Sequence, residues 1–258
     1  LILDPGLTVA RYNLGNALFA LGEAAPAAQA FRDAVNAEPR NQTFWTNYLF
    51  ALNFSAEADR ETVFKANREW GRGIEAAITP SPPEIAPRSA GRLRLAYYLP
   101  ELDRHVTPRF VQPLLSLHDR AAFEVLGFGH RADGGPVPPA LSAGLDGWTD
   151  TAGLDAAATA AAMREAGVHI LLHPCAFKAR YRLVLAHRAA PLQVINTNLV
   201  STTGLEAADH LVTDALVDPP GETERFYTEN LIRLSGFNCY RPADDGARPA
   251  PAPGIEAG

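Results

Sequence analysis

Histidine and hydroxyl side chains mark the places where this sequence could do chemistry. His105 follows a short apolar run, residues 93–99, that is typical of a buried strand. An imidazole just after a strand can orient a hydroxyl group or accept its proton. Farther along, Thr202, Thr203 and Gly204 offer two hydroxyls and backbone amides to a sugar or a phosphate. An ordinary turn capped by threonine explains the same three residues.

Three further residues have the spacing of a metal site. His169, His173 and Cys175 fall on alternate positions, which would place them on one side of a continuous strand. Pro174 interrupts that strand, and no fourth ligand is evident. The pattern therefore favours core or strand-end histidines and a buried thiol over a metal centre.

Charged residues near these positions have simpler interpretations too. Asp209 and Asp214 bracket a short apolar segment, where they can cap the next loop or contact a ligand. Arg180 and Arg182 open a predicted helix, where a solvated helix face is the simpler interpretation and a phosphate contact the alternative.

Alternating short apolar runs and amphipathic segments supply the elements that position these residues. The alternation predicts an α/β lobe with a parallel sheet between helices. Ligands of such sheets bind at the carboxyl ends of the strands, which selects the loops 100–107, 173–179 and 197–204. The predicted strands are 93–99, 123–128, 168–172, 192–196, 210–213 and 231–234, and the predicted helices are 106–117, 156–166, 180–188 and 222–228.

The first forty residues carry a repeat pattern. Gly15 and Ala27 are small residues that would let two helices approach, and Phe31 would fill the gap between them. The interval from Pro5 to Pro39 equals the 34-residue period of tetratricopeptide (TPR) repeats. A generic helical hairpin is the alternative. Because one repeat cannot bury its own apolar face, we expect the native protein to extend upstream.

Residues 42–78 continue the helical pattern, with Ser55 as the expected N-cap of the last helix. A Pro-rich stretch follows and reads as a linker. The predicted division is a TPR end with capping helices over 1–78, a linker over 79–91, a Rossmann-like lobe over 92–241, and a Pro/Ala/Gly-rich tail or inter-lobe linker over 242–258.

Composition argues against several classes of partner. The 258 residues carry a formal net charge of -6, and no block of basic residues suggests nucleic-acid binding. No apolar stretch reaches the roughly 20 residues of a membrane-spanning helix, and no secretory signal is apparent at the start. Two cysteines do not make a disulfide framework. We therefore expect a cytoplasmic protein that binds neither nucleic acid nor membrane.

Several short motifs occur in the order found in one known family. They include Leu99-Pro100-Glu101 followed by His105, His118-Asp119-Arg120 with Phe123-Glu124-Val125, Arg188-Ala189-Ala190-Pro191-Leu192-Gln193, Ser201-Thr202-Thr203-Gly204, and Asp209-His210-Leu211-Val212-Thr213-Asp214. In these motifs, and in their attachment to a TPR segment, the chain resembles the protein O-GlcNAc transferases and their plant and bacterial relatives.

The resemblance implies a fold and an activity. It implies the first half of a two-lobed GT-B glycosyltransferase that is inverting and needs neither metal nor cofactor. The donor would be UDP-GlcNAc or a similar UDP-sugar, and a polypeptide acceptor would lie in the TPR groove. His105 matches the family's active-site histidine, and Ser201, Thr202, Thr203, Gly204 and Asp209 are the candidate substrate-binding residues.

Departures from the family motifs keep other functions open. Glu101 and Leu102 replace an Asp-Phe pair, and Ser201 replaces a glycine that would allow close approach to a ligand. A non-catalytic TPR interaction module with a degenerate lobe is the main alternative. A transferase for another class of acceptor, such as a cell-surface glycan, is a further one.

Overall fold

A computed structural model gives the fold of most of the chain. His105, Cys175, Cys239 and the tail 242–258 lie outside the described part, so predictions that fall on them stay predictions. The structure describes residues 7–79, 84, 91–104, 107–174, 176–196 and 201–236.

Four helices occupy the amino-terminal part. Each of the first three packs against the next, and the last packs against the α/β lobe as well as against its predecessor. The helices are α1 (Thr8–Ala20), α2 (Ala24–Ala37), α3 (Gln42–Phe54) and α4 (Arg60–Glu75).

Small residues set the spacing of the first hairpin, as predicted. A Cβ atom on Gly15 would lie 2.6 Å from the ring of Phe31, so only glycine fits there. Ala27 and Phe31 are buried at the same contact. The helix that carries them ends at Ala37, just before Pro39, which cannot continue it.

Polar side chains cap the next two helices. Asn41 accepts hydrogen bonds from the first backbone amides of α3, at 3.1 and 3.3 Å. Asp59 caps α4 by accepting from the amide of Thr62 at 2.8 Å. The prediction of Ser55 as this cap was wrong, because Ser55 follows the last residue of α3 and α4 begins five residues later.

The rest of the described chain forms an α/β lobe, with two 3₁₀ turns at Leu102–Arg104 and Glu224–Phe226. Its strands are β1 (Leu93–Leu99), β2 (Phe123–Gly129), β3 (Gly147–Asp150), β4 (Ile170–His173), β5 (Leu192–Asn196), β6 (His210–Asp214) and β7 (Asn230–Leu234). Its helices are α5 (Thr107–Leu115), α6 (Pro139–Ser142), α7 (Ala156–Glu165) and α8 (Ala179–Ala186).

The seven strands form one sheet in the order β3-β2-β1-β4-β5-β6-β7, and every pair is parallel. The chain winds outward from β1 to β3 and then in the other direction from β4 to β7. The order therefore reverses between β1 and β4. In open parallel sheets the carboxyl edge at such a reversal is the usual place for a ligand.

The predicted fold class is confirmed, with local differences. All six predicted strands are present, but β3 and the short helix α6 were missed. The predicted helix over 222–228 is only the turn Glu224–Phe226.

Helices and sheet share a continuous core. One cluster of buried residues includes Phe31 and Trp70 from the helices and Leu171 and Ile195 from the sheet. The predicted division between 1–78 and 92–241 stays a prediction. Buried side chains of the amino-terminal helices and of the lobe pack together in this one cluster.

A search of the described residues found no helix with the length and apolar character needed to cross a membrane.

Candidate active site

The carboxyl edge between β1 and β4 brings two charged loops together. Glu101 follows β1, and Lys178 and Arg180 lie at the start of α8, after β4. Lys178 Nζ lies 3.2 Å from a carboxylate oxygen of Glu101, and Arg180 donates to the other oxygen. Arg180 also donates to the hydroxyl of Tyr181 at 2.8 Å. We call Glu101, Lys178, Arg180 and Tyr181 the switch-point cluster.

Glu101 is held in an unusual state. Its φ of 51° lies in the left-handed region, which few residues other than glycine adopt. Burial alone would raise the pKa of Glu101, but hydrogen bonds from Tyr181 and Lys178 and the charge of Arg180 outweigh it and lower this pKa to about 2. The carboxylate is therefore ionised at neutral pH. With two cations and one carboxylate, the switch-point cluster itself carries one net positive charge.

His105 follows this loop in the sequence and lies outside the described residues. Its assignment as the catalytic base stays a prediction. The structure describes the strand and the Glu101 turn that precede it, and the helix α5 that follows it.

Arg182 is fully buried beneath the switch-point cluster, only 1% exposed. Its guanidinium donates to the Asn67 side chain at 2.7 Å, to the Thr203 carbonyl at 3.0 Å, and to the Ala176 carbonyl. Burial lowers the pKa of Arg182 to about 10, so it stays charged at neutral pH. The interpretation of Arg182 as part of a solvated face was wrong, because α4 covers that side of α8. Arg180, by contrast, is exposed.

Thr202 and Thr203 are buried, and both hydroxyls donate to the carboxylate of Glu229. The Thr203 amide donates to the same carboxylate at 2.7 Å. These bonds tie the segment after β5 to the residue that precedes β7. A contact of Thr202 and Thr203 with substrate stays a prediction. Their bonds to Glu229 favour a role in holding the loop after β5 in place.

Gly204 permits a close approach between the lobe and α4. Its φ is +78°, and a Cβ on it would lie 2.1 Å from the carbonyl oxygen of Asn67. A Cβ on Gly71 of α4 would lie 1.9 Å from the carbonyl oxygen of Gly204. Arg68 donates to that carbonyl at 2.8 Å. The contacts of Gly204 are with the helix, so a role in substrate binding has no support from its surroundings.

Ser201 and Asp209 occupy different surroundings. Ser201 lines a cavity between the helices and the lobe. Asp209 precedes β6 at the opposite, amino edge of the sheet, where it pairs with Arg188 at 2.9 Å and accepts from the amide of Gln193 at 2.7 Å. The structure therefore does not bring Asp209 together with the switch-point cluster, and its contacts fix the start of β5. Its assignment as a substrate-binding residue stays a prediction, and these contacts favour a structural role.

The histidines of the possible metal site are engaged in the fold. His173 is buried and lies 2.9 Å from the Tyr181 carbonyl through Nε2, and burial lowers its pKa to about 4. His169 Nδ1 accepts from the backbone amide of Arg94 at 3.0 Å. The interpretation of both as core or strand-end histidines is confirmed. The described residues contain no cluster of three metal-ligating side chains.

Sequence reasoning missed the switch-point cluster and the buried arginine. Glu101 was noted only as a departure from a motif, and Lys178 was not singled out. Both lie in loops at the predicted carboxyl edge, so a search for opposite charges across those loops would have found them. No local signal reveals Arg182, since residues from α4 bury it.

The chain is similar to known proteins in both sequence and structure. The family described as "Glycosyl transferase family 41" matches residues 80–237. A rice (Oryza sativa subsp. japonica) protein named "Probable UDP-N-acetylglucosamine--peptide N-acetylglucosaminyltransferase SPINDLY" is 30% identical over 236 residues, covering 88% of this chain and 25% of the relative. A Caenorhabditis elegans protein named "UDP-N-acetylglucosamine--peptide N-acetylglucosaminyltransferase" is 28% identical over 146 residues, covering 55% of this chain and 13% of the relative.

A solved structure agrees over nearly the whole chain. The Thermobaculum terrenum O-GlcNAc transferase mutant K341M superposes with a TM-score of 0.83 and 31% sequence identity, covering 98% of this chain and 49% of that one. This chain thus spans about half of that structure and about a quarter of the rice relative.

Proposed function

This chain belongs to glycosyl transferase family 41, and on that premise we propose that it forms one side of the cleft of a protein O-glycosyltransferase. The enzyme would move a sugar from a donor of the UDP-GlcNAc type to Ser or Thr hydroxyls of polypeptides. The match over residues 80–237 carries the proposal, and the names of the relatives supply the donor and acceptor classes.

The proposed reaction is a single displacement with inversion. The acceptor oxygen forms a bond to the anomeric carbon as the bond from that carbon to the UDP oxygen breaks. The hydroxyl proton passes to a base, for which we propose His105, and the electron pair leaves with the diphosphate. His105 suits this role because a neutral imidazole accepts a proton near pH 7.

The switch-point cluster supports the electrostatic part of this proposal. Lys178 and Arg180 outnumber Glu101, so the edge attracts an anionic donor. Basic groups of this kind can stabilise the departing diphosphate without a metal ion. Metal independence is therefore part of the proposal.

The helices supply the proposed acceptor groove. Asn47 of α3 donates to the Asn16 side chain and to the Tyr12 hydroxyl of α1, both at 3.0 Å. These polar side chains link the first helices of successive hairpins, on a surface that a polypeptide can follow.

A transfer assay with the full-length protein tests the proposal. UDP-GlcNAc and a Ser/Thr-containing peptide should give glycosylated peptide, and His105→Ala should lower kcat by about 10²-fold or more. His187→Ala is the matched control, because His187 follows the last residue of α8, whereas the switch-point cluster lies at the start of that helix. We expect it to keep the wild-type rate. Equal rates for all three proteins would remove His105 from the mechanism.

A second candidate function is a non-catalytic interaction module. The observation that favours it is the commitment of the Thr202 and Thr203 hydroxyls to Glu229. Peptide binding without any sugar transfer by the full-length protein would support this candidate. For either function we propose a cytoplasmic location, which the low cysteine content supports.

A further inference from the structure

Helix α3 presents an uncharged stripe. None of its residues from Gln42 to Phe54 is charged. Thr46, Phe50, Asn53 and Phe54 recur at helical spacing and therefore share one face. Phe50 is 40% exposed and Phe54 61% exposed, which is unusual for phenylalanine. This face therefore offers aromatic rings and one side-chain amide, but no charged group, to a partner.

An aromatic cluster forms where this stripe meets α1. The ring of Phe19 lies 5.7 Å from the rings of both Phe50 and Phe54, and those two rings are 4.8 Å apart. Exposed, mutually packed rings offer a preformed surface to an apolar side chain.

A cavity lies at the far end of the same stripe. Asn53 contributes to its wall, together with Val63 and Phe64 of α4 and with Ser201 and Tyr227 of the lobe. Arg60 also lines it, and its guanidinium pairs with Asp218 at 3.1 Å. Its volume is about 190 Å³. A cavity of roughly 150 Å³ holds a benzene molecule, so one ring or one aliphatic side chain fits here.

Ser201 gives this cavity a polar wall. The residue is only 7% exposed, and its hydroxyl oxygen makes no hydrogen bond within the described part of the chain. A buried hydroxyl without a partner costs free energy that a ligand can recover. An occupant with an apolar body and a polar atom suits these walls.

The near end of the stripe reaches the switch-point cluster. The hydroxyl of Thr46 accepts from the backbone amide of Ala179 at 3.0 Å, and Ala179 is the neighbour of Lys178. From Thr46 to Phe54 the helix rises about 12 Å at 1.5 Å per residue. An extended peptide covers that distance in about four residues.

Resting on the proposed function, we propose that this stripe selects acceptors by an apolar anchor side chain. The acceptor polypeptide lies extended along α3 with its Ser or Thr at the switch-point cluster. An aromatic or large aliphatic residue, about four to six positions from that Ser or Thr, packs on Phe50 and Phe54 or enters the Ser201 cavity.

Peptide kinetics with the full-length protein test this proposal. Two pairs of peptides each contain one Ser, and the members of a pair differ only in having Tyr or Gly five positions from it. The variable position precedes the Ser in one pair and follows it in the other. The Tyr peptides should have a KM about tenfold lower with an unchanged kcat. Because the Tyr and Gly that distinguish the peptides are both uncharged, this ratio should persist from low to high salt.

A double variant then locates the contact. Phe50→Ala with Phe54→Ala should abolish the advantage of the Tyr peptides over the Gly peptides. Leu117→Ala is the matched control, since Leu117 is 78% exposed and follows α5. If the double variant retains the Tyr advantage, the proposal is wrong. If wild-type protein transfers no sugar to any peptide, the proposed function fails instead.

Ser201→Ala distinguishes a loss of peptide binding in the cavity from a loss of protein stability. Removal of an unpartnered buried hydroxyl should leave the melting temperature of the free protein the same or higher. If an anchor bonds that hydroxyl, the same variant raises the KM of the Tyr peptides severalfold. An unchanged KM would exclude Ser201 from peptide binding and confine the anchor to the aromatic cluster.

Discussion

At the scale of single residues, the guanidinium of Arg182 joins three parts of the chain. It donates to Asn67 of α4, to the carbonyl of Thr203 after β5, and to that of Ala176 after β4. The ring of Trp70 lies 5.4 Å from it. A buried charge with several hydrogen-bond acceptors is costly to remove, because each acceptor then loses its donor.

We predict that Arg182→Met lowers the free energy of unfolding by about 3 kcal/mol, measured by chemical denaturation at neutral pH. Methionine replaces the volume but supplies no donor. Arg72→Met is the control, because Arg72 is exposed in the last turn of α4 and its loss should cost little. Similar losses for both variants would contradict this account of Arg182.

His173 makes stability depend on pH. Its pKa of about 4 in the folded protein lies below the ordinary 6.5, because burial disfavours the charged ring. The unfolded chain therefore takes up a proton between pH 6.5 and 4 that the folded protein does not. Stability falls as the pH drops through this window, by about 3 kcal/mol at 1.36 kcal/mol per pKa unit.

The measurement is urea unfolding from pH 7 to 4.5, in the wild-type protein and in His173→Phe. The variant lacks the titrating group, so its stability should fall less steeply over the same range. Parallel pH profiles would show that His173 contributes nothing to the acid sensitivity.

Residue roles were the least predictable from sequence. The close packing of Gly15 on Phe31 follows a repeat pattern within one hairpin and was predicted. The burial of Arg182 was not, because the helix that covers it lies more than a hundred positions earlier. Contacts between distant segments leave no local periodicity to detect.

At the scale of elements, α4 docks on the lobe by backbone contact. A Cβ on Gly71 would lie 1.9 Å from the Gly204 carbonyl, whereas a Cβ on Gly73 meets nothing within 4 Å. The two glycines stand two positions apart in one helix, so their substitutions form a matched pair.

We predict opposite signs for these substitutions. Gly71→Ala should lower the free energy of unfolding by about 2–3 kcal/mol, because backbone atoms must separate. Gly73→Ala should raise it by about 0.5–1 kcal/mol through helix propensity. Thermal or chemical unfolding measures both. Equal stabilisation by the two alanines would show that α4 is not docked as described.

Longer elements were predictable and short ones were not. β1 and β5 are rich in apolar residues, and their predicted bounds match the structure. β3 has four residues beginning with glycine, and its strand conformation comes from pairing with β2. Its sequence alone lacks the apolar run or alternation that marks a strand.

At the scale of the whole molecule, helices and sheet share one buried cluster, and we infer that they fold as a single unit. Trp70, Phe31 and Ile195 belong to the same buried cluster, although they come from different predicted domains. Separation of the helices from the lobe would expose the apolar side chains that this cluster buries.

We therefore predict that residues 79–258, expressed alone, aggregate or fail to unfold cooperatively, while the 258-residue chain gives one transition. Size-exclusion chromatography and thermal unfolding make the comparison. A monomeric lobe fragment with its own cooperative transition would contradict the single-unit description.

The most direct test of the central claim is the product formed by the full-length protein from UDP-GlcNAc and a Ser/Thr peptide. NMR of the purified glycopeptide gives the attachment atom and the anomeric configuration. We predict a sugar on the side-chain oxygen, inverted to the β configuration, with one UDP released per sugar transferred. A glycopeptide of retained configuration, or the absence of any transfer, would contradict it.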